Sequence, residues 1–307
     1  MRLGLPTLAV GLCLIAGAAG PAPTTRPADL AFPPVYTAKV AATPRFYQRD
    51  SRMDLTVAGD NFCVPVAVSD SFVYFATHGF DRLVPMSGGD LEISQAELVK
   101  TLASPGYMST SPDTGTTPSN AMTGISRYVQ EHGYICQRLE YAGWRPLQRR
   151  WLYAAVAPAP SLNWIKAAVA APNGTAWLEI GYYIHGDSPG RWRRVSGHSV
   201  VVVGYGTDGA RTDARILLVD NPAIGAMLPA TAEQRAMGVK WRPVTLADQA
   251  ITLTPTGPFQ LFGVNSTTPR NVSQVFQVDG PGVPFSHTKY AAAFLDGALV
   301  LVIGLPS

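Results

Sequence analysis

From Cys63 onward, apolar residues recur at helical spacing. Val64, Ala67, Val68, Phe72, Phe75 and Ala76 line one side of a predicted helix. Turn formers Gly59-Asp60-Asn61 precede it, Pro65 fits a first turn that has no use for its missing N–H, and His78-Gly79 gives a stop signal. Ser94-Gln95-Ala96-Glu97 has the form of a capping box, with Leu98, Val99 and Leu102 as the apolar face of a second helix. A third is expected from about Asn120 to Glu131 and a fourth from Leu162 to Ala170. From Ala176 the period shortens. Ala176 to Ile184, His198 to Val203 and Ile216 to Asp220 read as strands, the second a β-branched run typical of burial. The last sixty residues look strand-rich, and Phe294-Leu295-Asp296-Gly297-Ala298-Leu299 reads as a hairpin. Helices first and strands later predict an α+β fold.

The amino terminus follows another logic. Met1-Arg2 gives a positive start, Leu3 to Ile15 an apolar stretch, and Ala16-Gly17-Ala18-Ala19-Gly20 a small-residue cleavage region. Residues 1–20 therefore read as a signal peptide, which predicts a secreted or periplasmic protein with no stable membrane span after its removal. Residues 21–45 carry six prolines and read as a linker, and the folded domain is expected over 46–307. Within it, 46–170 forms the helical half and 171–307 the β half, with 240–307 either completing that half or forming an appended sheet.

Composition narrows the partners. Charged residues are 15% of the 307-residue chain and the formal charge is +3, too small and too dispersed for a nucleic-acid surface. No His/Cys/Asp/Glu group has metal-ligand spacing, and no cofactor is implied. Gly204-Tyr205-Gly206-Thr207-Asp208-Gly209 fits G-x-G-x-x-G, but a polar stretch and a new strand follow where a dinucleotide site needs a helix, so it reads as a hairpin loop.

Candidate chemistry centres on Cys63. A thiol at a helix N-terminus meets unpaired N–H groups and the positive end of the macrodipole, which favour the thiolate. A buried structural cysteine, or a disulfide with Cys136 (the other cysteine left once the signal carrying Cys13 is gone), is the bland alternative. A nucleophile needs a base, and five histidines are available. His78 and His132 precede glycines at helix ends, His185 lies in a turn, and His287 approaches the last strands. His198 opens a buried strand after Gly197 and can face a cleft.

Cys63-Val64-Pro65, Gly197-His198-Ser199-Val200 and Val219-Asp220-Asn221-Pro222 together resemble the papain-like cysteine peptidases, especially the bacterial C39-like branch. His198 follows Cys63 by 135 residues, within the roughly 130–150 of the papain pattern. The resemblance covers about residues 46–225. It implies a papain-like fold, a helical half with the nucleophile helix packed on an antiparallel β half. It also implies hydrolysis of peptide or protein substrates, with Cys63 as nucleophile, His198 as base and then acid, and Asn221 or Asp220 orienting the ring. Neighbouring strand residues face opposite ways, so only one of that pair can serve. The family's upstream glutamine has no counterpart in place, leaving Asn61 and Gln48 as oxyanion candidates, and Val64 replaces a glycine. That departure keeps open a catalytically silent peptide-binding module, and the same Cys–His pair also suits an amidase or acyltransferase.

Overall fold

The computed structural model describes residues 32–306, apart from 56–58, 85–88, 148–154, 231 and 285–287. The signal-peptide reading of 1–20, the first part of the linker and His287 lie outside the described residues.

Three helices come first: α1 (Cys63–Ala76), α2 (Leu91–Ala103) and α3 (Pro118–Glu131). Then follow β1 (Ile135–Gly143), β2 (Ala155–Ala157), α4 (Leu162–Ala170), β3 (Gly174–His185), β4 (Arg191–Thr207) and β5 (Thr212–Asp220). The remainder comprises β6 (Met227–Pro229), α5 (Ala232–Ala236), β7 (Trp241–Pro243), α6 (Leu246–Gln249), β8 (Ala250–Thr256), β9 (Phe259–Phe262), β10 (Arg270–Val272), β11 (Val275–Asp279) and β12 (Ala292–Gly304).

The expected papain-like division into a helical half and a β half is overturned. Among the described residues the fold is mostly β, 35% strand against 26% helix, organised around a closed six-strand antiparallel barrel. The ring runs β12–β3–β4–β5–β8–β11 and returns to β12, every neighbouring pair antiparallel. The physical reason lies in the apolar runs. Val200 and Val202 of β4 join Leu178 and Ile180 of β3, Leu217 and Val219 of β5, Ile251 and Leu253 of β8, Val278 of β11 and Val300 of β12 in one core. Val201 and Val203 point the other way, with Ile216, Leu218, Leu299 and Leu301, into a second core against α1 and α3. Burial on both faces explains why these strands read as continuous apolar runs rather than alternating ones. Closure leaves the ring itself without a free edge.

Residues beyond 240 therefore supply half of the barrel: β8, β11 and β12. The expected hairpin at Asp296-Gly297 is absent. β12 runs through it as one 13-residue strand with an irregularity between Leu295 and Gly297, where Asp296 turns into the protein and is fully buried. Helix α2 starts before the predicted capping box, because the Asp90 side chain accepts from the backbone N–H groups of Glu92 and Ile93. Part of the expected linker belongs to the fold. Tyr36 pairs with Tyr205 by backbone hydrogen bonds of 3.0 and 2.8 Å, and Lys39 is buried with its ammonium donating to the carbonyls of Ala171 and Gly174. The Gly204–Gly209 segment is the end of β4, paired with β5, and the first residues of the turn that joins the two strands.

Candidate active site

Cys63 is the first residue of α1, and α1 is seated against β4 through the shared apolar core. Its sulfur lies at three backbone N–H groups: those of Ser199, Val64 and Cys63 itself. Ser199 is the neighbour of His198 on β4, so the helix start and the histidine-bearing strand meet here. Both Cys63 and His198 keep part of their surface exposed. Cys136 on β1 packs at the margin of the helical core, and both cysteines are free thiols.

His198 is held through its far nitrogen. Nε2 lies 2.6 Å from Asn221 Oδ1, and an amide oxygen only accepts, so Nε2 carries the proton and Nδ1 keeps a lone pair. The amide is itself fixed. Asn221 Oδ1 also accepts from the Ala223 backbone N–H at 2.9 Å, and Nδ2 donates to the Gly282 carbonyl at 2.9 Å. Asp220 looks the other way, as strand alternation requires. It pairs with Arg45 at 2.8 Å and accepts from the Gln249 amide, with no contact to the ring. Burial raises the Asp220 carboxyl to about 7, opposed by Arg45 and Gln249. On α1, Asp70 accepts from the Gln95 amide at 2.7 Å and the Phe46 N–H at 3.2 Å, and burial, then the charge of Asp220, pushes its carboxyl well up.

The two oxyanion candidates both spend their side-chain amides on backbone carbonyls. Asn61 Nδ2 donates to the Pro112 carbonyl at 2.5 Å. Gln48 Nε2 donates to the Asp60 carbonyl at 3.1 Å, while its backbone N–H donates to the Pro222 carbonyl at 2.9 Å. Gln48 thus ties the loop before Cys63 to the turn after Asn221. Its Oε1 is buried with no partner among the described residues. Each side-chain amide is engaged with a backbone carbonyl.

The thiol's electrostatics differ from the helix-terminus expectation. Burial, followed by the negative charge of Glu179, raises the Cys63 thiol to about 11, against the lowering effect of the three N–H groups. Burial also lowers the His198 imidazole below 6.5, with the Asn221 hydrogen bond pulling the other way. Both shifts favour a resting pair of neutral thiol and neutral imidazole over a preformed ion pair. Sequence reasoning missed Glu179 and Arg145. Glu179 on β3 is buried opposite Ser199 and lies 3.5 Å from Arg145. One signal was available, a lone acid inside the apolar run Trp177-Leu178-Glu179-Ile180.

Among the described residues, no group of three or more His, Cys, Asp or Glu side chains could hold a metal ion, and no helix is long and apolar enough to cross a membrane. Comparison with protein-family models, curated proteins and solved structures gave no match to this chain.

Proposed function

We propose that the protein is a cysteine hydrolase acting on peptide bonds, with Cys63 as nucleophile, His198 as base and Asn221 as the group that orients it. The observation that carries the reading is the 2.6 Å contact between His198 Nε2 and Asn221 Oδ1, on the strand whose next residue, Ser199, reaches the Cys63 sulfur. An anchored amide that fixes one tautomer leaves the other ring nitrogen able to take a proton. The Cys63 thiol gives its proton to His198 Nδ1 as the sulfur attacks the scissile carbonyl. The oxyanion is drawn to the N–H groups at the start of α1. His198 then returns the proton to the departing amine, leaving a thioester. Water, deprotonated by the same ring, attacks the thioester and releases the acid with the thiol restored. A neutral resting pair makes proton transfer concerted with attack. The amino-terminal pattern supports export of the chain.

The second reading, a silent peptide-binding module, draws on the engagement of the Gln48 and Asn61 amides with backbone carbonyls and on the raised Cys63 thiol. A peptidyl epoxide separates the two. The hydrolase reading expects Cys63 to be alkylated much faster than Cys136, and His198→Ala to remove the difference. Equal rates at the two cysteines, or undiminished labelling of Cys63 in His198→Ala, would overturn it. Peptide cleavage compared with acyl transfer to an added amine then distinguishes hydrolase from acyltransferase.

A further inference from the structure

A cavity of about 1140 Å³ opens beside the barrel, walled by Trp144 and Phe259, with Arg145, Gln260, Arg270 and Asn271 supplying its polar groups. We propose that this cavity is a recognition subsite for an acidic side chain of a peptide substrate, an inference that rests on the hydrolase reading for the ligand being a peptide.

Three observations carry it. First, the charge around the cavity is one-sided. Among the described residues lining it and the adjoining cavity of about 380 Å³ there is no Asp or Glu, whereas Arg145, Arg194 and Arg270 all contribute. Two of these arginines have acids behind them: Arg194 pairs with Asp296 at 2.5 Å, and Arg145 lies 3.5 Å from Glu179. Arg270 is different. It is exposed, and its guanidinium donates to the Trp144 carbonyl at 3.3 Å, with no carboxylate partner among the described residues. At the rim, next to the lining residue Gly190, Arg191 donates to the side-chain amide oxygen of Gln260 at 2.8 Å, again without a carboxylate among the described residues. A site left with surplus guanidinium charge between apolar walls attracts an anion and rejects a cation.

Second, the walls are stiff. The Trp144 indole N–H donates to Asp296 Oδ1 at 3.1 Å, and Phe259 packs against Trp192 and Phe294 at ring separations of 5.8 and 5.5 Å. An aromatic wall with a few fixed polar groups is the usual composition of a small-ligand site. Third, the cavity communicates with the nucleophile. Arg145 reaches Glu179, and the charge of Glu179 acts on the Cys63 thiol. An anion seated at Arg145 competes with Glu179 for the guanidinium, and Glu179 is paired across the sheet with Ser199, whose backbone N–H lies at the Cys63 sulfur.

The test uses full-length Cys63→Ala protein, so that turnover plays no part. Binding of an acetylated, amidated Gly-Glu-Gly-Glu-Gly peptide is compared with its Gln counterpart by calorimetry at low and high NaCl. The expected result is about tenfold tighter binding of the Glu peptide at low salt, a preference that shrinks with salt and falls severalfold in Arg270→Gln. Arg191→Gln, at the rim, gives a smaller loss. Equal affinity for the two peptides, no binding of either, or a preference unchanged in both arginine variants would overturn the inference. Failure here with selective epoxide labelling intact removes only the subsite. Failure of the labelling with the Glu preference intact removes the hydrolase and leaves an acidic-peptide binding site.

Discussion

Two buried acids on different barrel strands, Asp296 on β12 and Asp220 on β5, have different company. Asp296 receives Arg194 at 2.5 Å, the Trp144 indole at 3.1 Å and the Tyr183 hydroxyl, so that cations and donors surround it. Asp220 has a single arginine, Arg45, and the Gln249 amide, beside a second acid, Asp70, held by Gln95, and among the described residues both acids keep a buried oxygen without a partner. The first cluster is a closed staple between β12, β3, β4 and the segment after β1. In the second, all four donors fall on one oxygen of each carboxyl, and protonation of the other oxygen relieves the buried charge. This cluster stands directly behind Asn221, so the residue holding His198 is attached to the part of the core whose charge changes near neutral pH.

Breaking the staple should have the largest effect. Asp296→Ala leaves the Arg194 guanidinium buried and unpaired and removes the acceptor from Tyr183 and Trp144, with an expected loss of about 3–5 kcal/mol in denaturant unfolding. A loss under about 1 kcal/mol would mean that water replaces the carboxylate. Next comes the contrast between neighbours. Asn221→Ala should slow epoxide inactivation and peptide cleavage on the order of 10²-fold by freeing the ring, whereas Asp220→Asn should leave the rates within a fewfold. The reverse order would make Asp220 the orienting group. Third is the pH profile of the reaction. The imidazole must be neutral to act, and burial lowers its pKa, so the acid limb of kcat/KM should have its midpoint below 6.5. A midpoint above 6.5 would indicate an imidazolium stabilised by a negative partner.

The smallest effect is on stability against pH. Asp220 moves from 3.8 up to about 7 in the folded chain, so between those values the native state holds protons the unfolded chain has lost. Its contribution is fully present below pH 3.8 and is lost as pH rises through about 7. His198 works with the opposite sign: its lowered pKa costs stability as pH falls below 6.5. Asp220→Asn should weaken the first trend, which Asp70 with its raised carboxyl shares, and leave the second, as unfolding midpoints at pH 4.5, 6 and 7.5 would show.

The sequence carried much of the local structure. Leu162 to Ala170 forms α4 with the expected limits, since Ser161 caps it through the Trp164 N–H. The alternation argument at Asp220-Asn221 also described the geometry, because it rests on backbone direction alone. Closure of the sheet was not legible. The pairing of β12 with β3 and β11 depends on contacts across more than a hundred residues in one case and on the shape of the whole sheet, which no local period encodes. Asp296-Gly297 misled for a definite reason: the pair that signals a turn when solvated supplies here a buried acceptor and a bend within one strand. The thiol was misjudged similarly. The dipole and N–H groups are local and readable, whereas burial and the charge of Glu179 come from another strand.

β12 pairs with β1, β3 and β11, and its residues Leu299, Leu301 and Ile303 face the core on which α1 rests. The helix bearing Cys63 is therefore made early and finds its completed seat only after residues 292–304 have left the ribosome. Until then the thiol belongs to an unfinished chain. The order of synthesis itself delays assembly of the nucleophile's scaffold, at the cost of a slow, long-range closing step during which the strands already made have open edges.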